Sequence, residues 1–304
     1  MKSKVRSITR RLKKTDLVWR YGANFSSTLE FSKHRESMSG DHEKELMDEL
    51  NRSGIVITSI DKLINDNRTF DALNSALSNL TENNVKDIEN QRTKADDENA
   101  IGEKTFNLEL LGSEPTFESD NEFAQFALNE TLLDIVNAYF GMYVKLRYYN
   151  VWLTFASKSK FRESQLWHFD REDNYILKVF LYLDDVDEGA GPFIYAPGTH
   201  KKGRYRNINP EFFIEGGVRR TTDEQMKAVY PEDKWVRAIG KKGTIVFADT
   251  RGFHKGGEAR TKDRLMFTCM YTSPASESKR LINYPNDLDL ISLTPKQVRA
   301  LQHK

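Results

Sequence analysis

Three side chains have types and spacing that suit a metal. His168 and Asp170 are two residues apart in the stretch Trp167-His168-Phe169-Asp170. In an extended segment, residues i and i+2 point to the same side, so this imidazole and this carboxylate can converge on one point. A second imidazole, from His254, would complete a set of two histidines and one carboxylate. Such a set, with coordination positions left open, suits non-haem Fe(II) and the activation of oxygen.

The elements that must position these residues are short strands that follow Gly141. Segments rich in β-branched and aromatic residues predict strands, and turns rich in Gly, Pro and Asp separate them. The predicted strands are 144–155, 175–183, 193–195, 243–248 and 264–271. Many short strands of this kind indicate an all-β sandwich or barrel core. His168 and Asp170 precede the second strand, His254 follows the fourth, and Arg264 begins the fifth.

The chain before Gly141 is predicted to place helices outside this core. Leu46 and Leu50 lie at helical spacing within 41–50, and Asp41 is a plausible N-cap. Residues 84–104 are polar and charge-dense, which predicts an exposed, mobile loop that could act as a lid, although a plain solvated surface is the alternative. We further expect a strand at 54–60, a helix at 123–140, an insertion at 207–240 and a terminal helix at 294–302.

Composition and charge exclude several classes of protein. Lys and Arg number 46 and Asp and Glu 45, so the net charge of +1 selects neither nucleic acid nor membrane. The single cysteine, Cys269, excludes an internal disulfide and is typical of a reducing compartment. No apolar run approaches the roughly 18 residues of a membrane span, and the basic start lacks the apolar stretch of a secretory signal. We therefore expect a cytoplasmic protein without a nucleic-acid partner.

Two local clusters of positive charge interrupt this balance. Residues 1–14 carry seven basic side chains and no acidic one, with Met1, Val5, Ile8 and Leu12 at helical spacing. Such a helix can lie on the inner face of an anionic membrane, and the alternatives are a solvated arm or a helix docked on its own domain. The second cluster follows His200 and consists of Lys201, Lys202, Arg204 and Arg206. Near the mouth of a site it could attract a phosphate or carboxylate; otherwise it is ordinary solvated surface.

Several motifs follow one another in a recognisable order and spacing. They are Trp167-His168-Phe169-Asp170, the stretch 178–186 (KVFLYLDDV), the stretch 191–200 (GPFIYAPGTH), Phe253-His254 and Asp263-Arg264-Leu265, with an early segment at 53–57 (SGIVI). Together they resemble the phytanoyl-CoA dioxygenase family of Fe(II)- and 2-oxoglutarate-dependent oxygenases. The resemblance covers roughly residues 40–275 and is densest from 165 to 272.

The resemblance implies a double-stranded β-helix in which His168, Asp170 and His254 hold the iron. Arg264, at a position where an arginine can grip a carboxylate through two hydrogen bonds, would pair with the far carboxylate of 2-oxoglutarate; Arg260 is its rival. The cofactors implied are Fe(II), 2-oxoglutarate and O2, with ascorbate as a supporting reductant.

Other candidate site residues keep two interpretations each. Lys178 lies within an apolar run; if it points inward it needs an anion, which 2-oxoglutarate could supply, and if it points outward it is a surface lysine. His200 closes the Pro-Gly-Thr-His turn and either contacts substrate or caps backbone groups, and Lys201 and Arg204 would contact an anionic substrate beside it. Asn150 alternates with Trp152 and Thr154 on one strand face and could line the pocket, although core packing is the stronger interpretation for Trp152.

These features divide the chain into three parts and lead to one main hypothesis. The parts are a basic N-terminal arm (1–40), an oxygenase domain (41–275, with its β-helix core at about 144–272) and a C-terminal extension (276–304). The main hypothesis is a hydroxylase that acts on an aliphatic C–H bond of a small or lipid-linked, anionic substrate and releases succinate and CO2. The alternatives are a hydroxylase of the Kdo-type sugar in the lipopolysaccharide inner core, working at the membrane surface, and a non-catalytic β-helix binding module.

Overall fold

The basic start of the chain lies outside the part that the structure describes. A computed structural model describes residues 15–34, 40–64, 66–96, 104–160, 162–285 and 290–301. The predicted membrane-surface helix at 1–14 therefore stays a prediction. Within the described ranges, no helix is both long enough and apolar enough to cross a bilayer.

Short strands dominate the chain after residue 141, as the sequence predicts. The strands are β1 (Ile55–Ser59), β2 (Asn107–Glu109), β3 (Lys145–Thr154), β4 (Leu177–Tyr182), β5 (Phe193–Tyr195), β6 (Phe213–Glu215), β7 (Val218–Arg220), β8 (Val236–Ala238), β9 (Thr244–Asp249), β10 (His254–Gly256) and β11 (Arg264–Thr272). Each strand predicted from the sequence is present, with bounds that differ by no more than a few residues at either end.

Helices flank the strands, mostly on the N-terminal side. The helices are α1 (Asp16–Val18), α2 (Phe25–His34), α3 (Asp41–Ser53), α4 (Ile60–Leu63), α5 (Asn67–Asn83), α6 (Val85–Lys94), α7 (Glu122–Ala127), α8 (Glu130–Phe140), α9 (Asp223–Lys227) and α10 (Pro295–Leu301). A π-helical turn at Trp19–Ala23 joins α1 to α2, and short 3-10 turns lie at Glu163–Gln165, Glu188–Ala190 and Glu232–Lys234.

Two antiparallel sheets face each other. The larger has six strands in the order β1-β9-β4-β11-β3-β2, and the smaller has the order β10-β5-β8. Isolated antiparallel bridges, His168 to His254 and Trp167 to Thr221, extend the smaller sheet through the segment 167–168 towards the β6-β7 hairpin. This arrangement confirms the double-stranded β-helix with flanking N-terminal helices.

The larger sheet is buried on both faces. Along β4, Val179 and Leu181 pack in the cluster that includes α7 and α8, whereas Phe180 and Tyr182 pack against the smaller sheet. Successive side chains of a strand point to opposite faces, so one strand serves both layers. The inner face, between the two sheets, is where a site can form.

Three predictions about the helices need correction. Residues 85–94 form α6 rather than a loop; its few apolar residues give no helical pattern, and tertiary contacts hold it instead, including Gln91 Nε2 to Thr105 O at 2.9 Å and an ion pair between Arg92 and Asp263. Residues 97–103 of the predicted loop lie outside the described residues, so its interpretation as a lid stays untested. The helix expected at 123–140 is split, because Asn129 accepts hydrogen bonds from two backbone N–H groups and starts α8 anew. The N-cap of α3 is Gly40, not Asp41, which lies one residue inside the helix.

Both ends of the described chain pack on the β core. Trp19 is buried and donates its indole N–H to Asp173 Oδ1 at 2.8 Å, and Arg20 donates to Phe140 O at 2.7 Å. At the other end, α10 contacts α8 and β3. The described part of the predicted arm, 16–34, is therefore helical and folded against the domain.

Gly54 ends α3 at a crowded junction. It has a φ of +81°, and its carbonyl accepts the N–H of Asp249 at 2.8 Å. A Cβ at this position would lie 2.4 Å from Tyr195 Oη and 2.5 Å from His200 Nδ1. Only glycine combines this left-handed conformation with so close an approach. The junction supports the turn that leads from β9 to His254.

We expect Gly54→Ala to destabilise the protein more than Gly112→Ala does. Gly112 has a φ of +78° but open space around its missing Cβ, so alanine there incurs only backbone strain. At Gly54 the same strain is joined by overpacking, which typically costs about 1–3 kcal/mol. Urea unfolding of both variants would measure the difference, and equal losses of stability would contradict the crowding argument.

Candidate metal centre

The two histidines of the site are a directly hydrogen-bonded pair on neighbouring backbone segments. His168 N–H donates to His254 O at 3.0 Å, and His254 N–H donates to His168 O at 2.9 Å. Residues opposite each other in an antiparallel pair point to the same face, so both imidazoles project to the inner side. Their ring centroids lie 4.3 Å apart.

Each imidazole is oriented by a backbone carbonyl. The Nδ1 of His168 lies 2.8 Å from Leu166 O, and the Nδ1 of His254 lies 3.0 Å from Gly252 O. If Nδ1 carries the proton that these carbonyls accept, each Nε2 keeps its lone pair for a metal. Asp170 enters from the same segment, held by its N–H to Thr250 O at 2.8 Å.

One possible ligand atom from each of His168, Asp170 and His254 lies within 4.8 Å of the others. Burial lowers the pKa of His254 to about 4, and burial, together with the neighbouring His254, holds the pKa of His168 well below its usual value. Burial alone would raise the pKa of Asp170, but the ammonium of Lys178 and the two imidazoles outweigh it and lower this pKa. Two neutral imidazoles and a carboxylate therefore share one small volume, which is the donor set that non-haem Fe(II) accepts.

Lys178 points inward. It lies on β4, on the same inner face as Phe180, and its Nζ is 2.8 Å from Asp170 Oδ2. Burial by itself would lower the pKa of Lys178, but the adjacent carboxylate raises it. The anion that the buried ammonium contacts is thus Asp170. Lys178 both neutralises this carboxylate and fixes its orientation.

Arg264 is a buried guanidinium with donors left over. It begins β11, only 5% of it is exposed, and Nη2 donates to Thr154 Oγ1 at 3.3 Å. Its Nε and Nη1 are buried and have no hydrogen-bond partner among the described residues. Burial lowers the pKa of Arg264, because desolvation disfavours the charge. An unpaired buried cation is costly, so these two N–H groups fit an anionic ligand such as a carboxylate.

A single cavity contains all of these groups. It has a volume of about 590 Å³, and its lining includes His168, Asp170, His254, Lys178 and Arg264. Its apolar lining includes Phe106, Phe180, Phe193, Met266, Met270 and Leu281. A metal, a small dicarboxylate and part of a further small molecule fit a volume of this size.

The face of β3 that carries Asn150 lines the cavity, as predicted, but the side-chain amide of Asn150 is hydrogen-bonded to the backbone of another segment. Asn150, Trp152 and Thr154 all line the cavity. Asn150 Oδ1 accepts from Leu111 N–H at 3.2 Å, and its Nδ2 donates to Gly112 O at 2.6 Å. The amide therefore anchors the loop after β2. Trp152 presents a buried Nε1 with no partner among the described residues.

The turn after Pro197 does not reach the cavity. His200 is fully buried, with Nε2 3.1 Å from Asn51 O at the end of α3. Lys201 forms an ion pair with Asp16 at 2.6 Å, and Arg204 lies over the ring of Tyr205 at 4.7 Å. None of these three residues lines the cavity. The cationic turn binds the N-terminal helices instead, because the acidic side chain of α1 lies beside it.

Arg260, the rival of Arg264, lies in a loop. Its Nη1 donates to Ser157 O at 2.7 Å and Ser159 O at 2.8 Å, and it pairs with Glu258. These bonds tie the loop before β11 to the chain after β3. Arg260 is not among the residues that line the cavity.

Three cavity arginines were not predicted from the sequence. Arg147, on β3, Arg171, next to Asp170, and Arg220, on β7, all line the cavity. Arg147 belongs to a predicted strand, but the pattern does not show which way it points. Arg220 lies in the region interpreted as an insertion, where Gly216-Gly217 between two short β-type runs was an available signal for a hairpin.

The fold and the donor set define a double-stranded β-helix protein with a candidate iron site. The family model described as phytanoyl-CoA dioxygenase (PhyH) matches residues 54–266, well over half of the chain. The chain therefore belongs to the phytanoyl-CoA dioxygenase family of Fe(II)- and 2-oxoglutarate-dependent oxygenases. This confirms the enzyme class expected from the sequence, an oxidoreductase that uses Fe(II), 2-oxoglutarate and O2.

Several solved structures are similar to this chain at low sequence identity, and the likeness to the first of them supports the fold. The epimerase SnoN, in complex with Fe3+, alpha ketoglutarate and nogalamycin RO, has a TM-score of 0.51 and 16% identity, over 83% of this chain and 91% of that chain. EctD from S. alaskensis with 2-oxoglutarate and 5-hydroxyectoine has a TM-score of 0.49 and 15% identity, over 84% and 86% of the two chains. HygX from Streptomyces hygroscopicus with iron bound has a TM-score of 0.48 and 14% identity, over 78% and 88%. No curated protein matches the chain by sequence.

We expect Arg264→Met to stabilise the protein when no anion is bound. The change removes a buried charge whose remaining donors are unpaired, and the gain should be on the order of 1 kcal/mol after loss of the bond to Thr154. Arg68→Met is the control, because Arg68 lies at the surface and its replacement should stay within about 0.5 kcal/mol. Denaturant unfolding in anion-poor buffer measures both. A clear loss of stability in Arg264→Met would mean that the guanidinium is already satisfied in solution.

Proposed function

We propose that this oxygenase hydroxylates an aliphatic C–H bond of a small, anionic molecule, with His168, Asp170 and His254 as the iron ligands. The observation that carries the proposal is the convergence of three potential ligand atoms within 4.8 Å in a cavity that also holds the unpaired guanidinium of Arg264. The alternative of a non-catalytic binding module has no observation in its favour, because the complete donor set is present.

Each residue of the site has a stated task in this proposal. The Nε2 atoms of His168 and His254 and a carboxylate oxygen of Asp170 would hold the iron, and Arg264 would bind the far carboxylate of 2-oxoglutarate. Bound iron and 2-oxoglutarate supply the oxidising chemistry, so that 2-oxoglutarate, O2 and the C–H compound yield succinate, CO2 and the alcohol. Lys178 keeps Asp170 ionised and oriented through its 2.8 Å contact. The expected role of Lys178 towards 2-oxoglutarate would require it to share its ammonium between the two carboxylates.

The lining of the cavity supports an anionic substrate. Its cationic residues are Lys104, Arg147, Arg171, Lys178, Arg220 and Arg264, and its anionic residues are Glu109, Asp170 and Glu172. A cleft lined mainly by one sign of charge attracts ligands of the opposite sign. The volume of about 590 Å³ favours a small molecule or one end of a larger one.

The glycolipid hypothesis loses half of its motivation. It depended on the basic start of the chain and on the cationic turn after His200. The turn does not line the cavity, and Lys201 pairs with Asp16. Residues 1–14 lie outside the described part of the chain. We therefore do not extend the proposal to a lipopolysaccharide sugar.

We expect His168→Ala to abolish iron binding and 2-oxoglutarate turnover. Loss of a residue that binds the metal directly should lower the affinity for Fe(II) by more than the roughly 10- to 100-fold that follows the loss of a residue hydrogen-bonded to a ligand. Anaerobic Fe(II) titration and succinate release with ascorbate measure the two effects. The control is His42→Ala, since His42 bonds Thr58 far from the cavity. Either of two results would refute the proposal. One is unchanged iron affinity in His168→Ala; the other is an iron-loaded wild type that never decarboxylates 2-oxoglutarate in the presence of a broad panel of small carboxylates and phosphates.

The role of Arg264 is tested separately by 2-oxoglutarate binding. We expect Arg264→Met to lower the affinity for 2-oxoglutarate by about 10- to 100-fold, because hydrogen bonds to charged groups contribute roughly 1.5–3 kcal/mol. Arg264→Lys should recover only part of the affinity, since an ammonium lacks the planar fork of a guanidinium. Calorimetry on the anaerobic Fe(II) protein measures both variants. Unchanged affinity in Arg264→Met would assign the carboxylate to another cation.

A further inference from the structure

Arg220 occupies a place in the smaller sheet next to the candidate metal centre. Trp167 and Thr221 exchange two backbone hydrogen bonds, of 3.1 and 3.0 Å. In an antiparallel pair this register places the preceding residue, Arg220, opposite His168. Opposite residues share a face, so Arg220 lies on the inner side. It lines the same cavity as His168 and His254.

The guanidinium of Arg220 is buried and only partly paired. The residue is 5% exposed, and its Nη2 donates to Glu163 Oε2 at 3.2 Å. Its Nε and Nη1 are buried and have no partner among the described residues. Burial of a cation with two free donors is unfavourable unless a ligand completes its hydrogen bonds. Arg220 thus shares with Arg264 the property that indicates an anion.

The partner of Arg220 is held in a strained conformation. Glu163 has a φ of +52°, the only positive value at a non-glycine position in the described ranges. Its backbone N–H donates to Glu215 Oε2 at 2.7 Å, which ties it to the β6-β7 hairpin. Gly216 and Gly217, with φ values of +56° and +75°, form the turn of this hairpin. Such strain persists only where the surroundings impose it, and it is concentrated at functional sites.

Arg220 and Arg264 approach the cavity from different sheets. Arg264 belongs to β11 in the centre of the larger sheet, whereas Arg220 belongs to β7 and joins the smaller sheet through the segment that carries His168. One anionic ligand that fills the donors of Arg264 leaves those of Arg220 open. A second anionic group can therefore bind at Arg220.

We propose that Arg220 binds the anionic group of the primary substrate, a carboxylate or a phosphate monoester, through its unpaired guanidinium donors. The inference rests on the proposed function, because it assigns to Arg220 the substrate and to Arg264 the cosubstrate. Both kinds of anion accept charge-assisted hydrogen bonds from a guanidinium N–H. Glu163 holds the guanidinium through Nη2, so the anion orients the rest of the substrate relative to the metal.

The test uses the full-length protein saturated with Mn(II) and 2-oxoglutarate, so that the metal centre and Arg264 are filled first. Acetate and methyl phosphate are then titrated by calorimetry at low ionic strength, and the tighter of the two identifies the anion class. We expect Arg220→Met to lower the affinity for that anion at least about tenfold, a change of roughly 1.4 kcal/mol in the free energy of binding. Arg219→Met is the matched control: it removes the same charge from the neighbouring, exposed residue of β7 and should bind as the wild type does.

A second variant keeps the inference testable if Arg220→Met does not fold. Glu163→Gln retains Arg220 but removes the carboxylate that competes for it, and we expect tighter anion binding. Failure of Mn(II) or 2-oxoglutarate to bind would overturn the proposed function itself. If both bind normally, three results would each overturn the role of Arg220 alone. They are no anion binding in the wild type, equal losses of anion affinity in Arg220→Met and Arg219→Met, and no gain of anion affinity in Glu163→Gln.

Discussion

The geometry of the candidate site depends on the backbone pairing of His168 with His254. Two reciprocal hydrogen bonds, of 3.0 and 2.9 Å, bring together residues that are far apart in the chain. The pair sets which face both imidazoles occupy, and each carbonyl that accepts from Nδ1 belongs to the residue two positions earlier. Because the two segments are hydrogen-bonded directly, a shift of register by one residue would turn the imidazoles away from each other.

Several buried charged side chains lie around this pair of histidines. The ammonium of Lys178 is satisfied internally by Asp170, whereas Arg264 and Arg220 keep buried donors without partners. The difference is physical: Lys178 keeps Asp170, a candidate metal ligand, in its ionised form, whereas Arg264 and Arg220 each keep two donors without a partner among the described residues. Stability that the apo protein loses through unpaired cations is recovered when anions bind, since any ligand that prefers the folded state stabilises it. The candidate site therefore lowers the stability of the ligand-free protein.

The sequence predicts the strands, and the convergence of His168 with Asp170, because both depend on local patterns. Strands such as β4 are rich in β-branched and aromatic residues, and His168 and Asp170 are close in the chain. Prediction fails where tertiary contacts decide. Helix α6 has too few apolar residues to show a helical period and is held by contacts such as Gln91 with Thr105 O. The charges after His200 suggested a substrate contact, yet Lys201 pairs with Asp16, which only the three-dimensional packing of α1 can show.

The same limit explains why Arg220 could not be identified from its neighbours in the chain. Arg219 and Arg220 are identical in type and adjacent, and only the pairing of Thr221 with Trp167 decides which of them faces the cavity. The β6-β7 hairpin is a two-stranded unit that the bridge connects to the metal segment, and hydrogen bonds of Glu215 and Arg220 connect it to Glu163. Changes in the hairpin can therefore move or replace Arg220 without disturbing the hydrogen bonds between His168 and His254. Under the proposed roles, substrate selection by Arg220 on the hairpin is separated from the assembly of the candidate metal centre on the paired histidine segments.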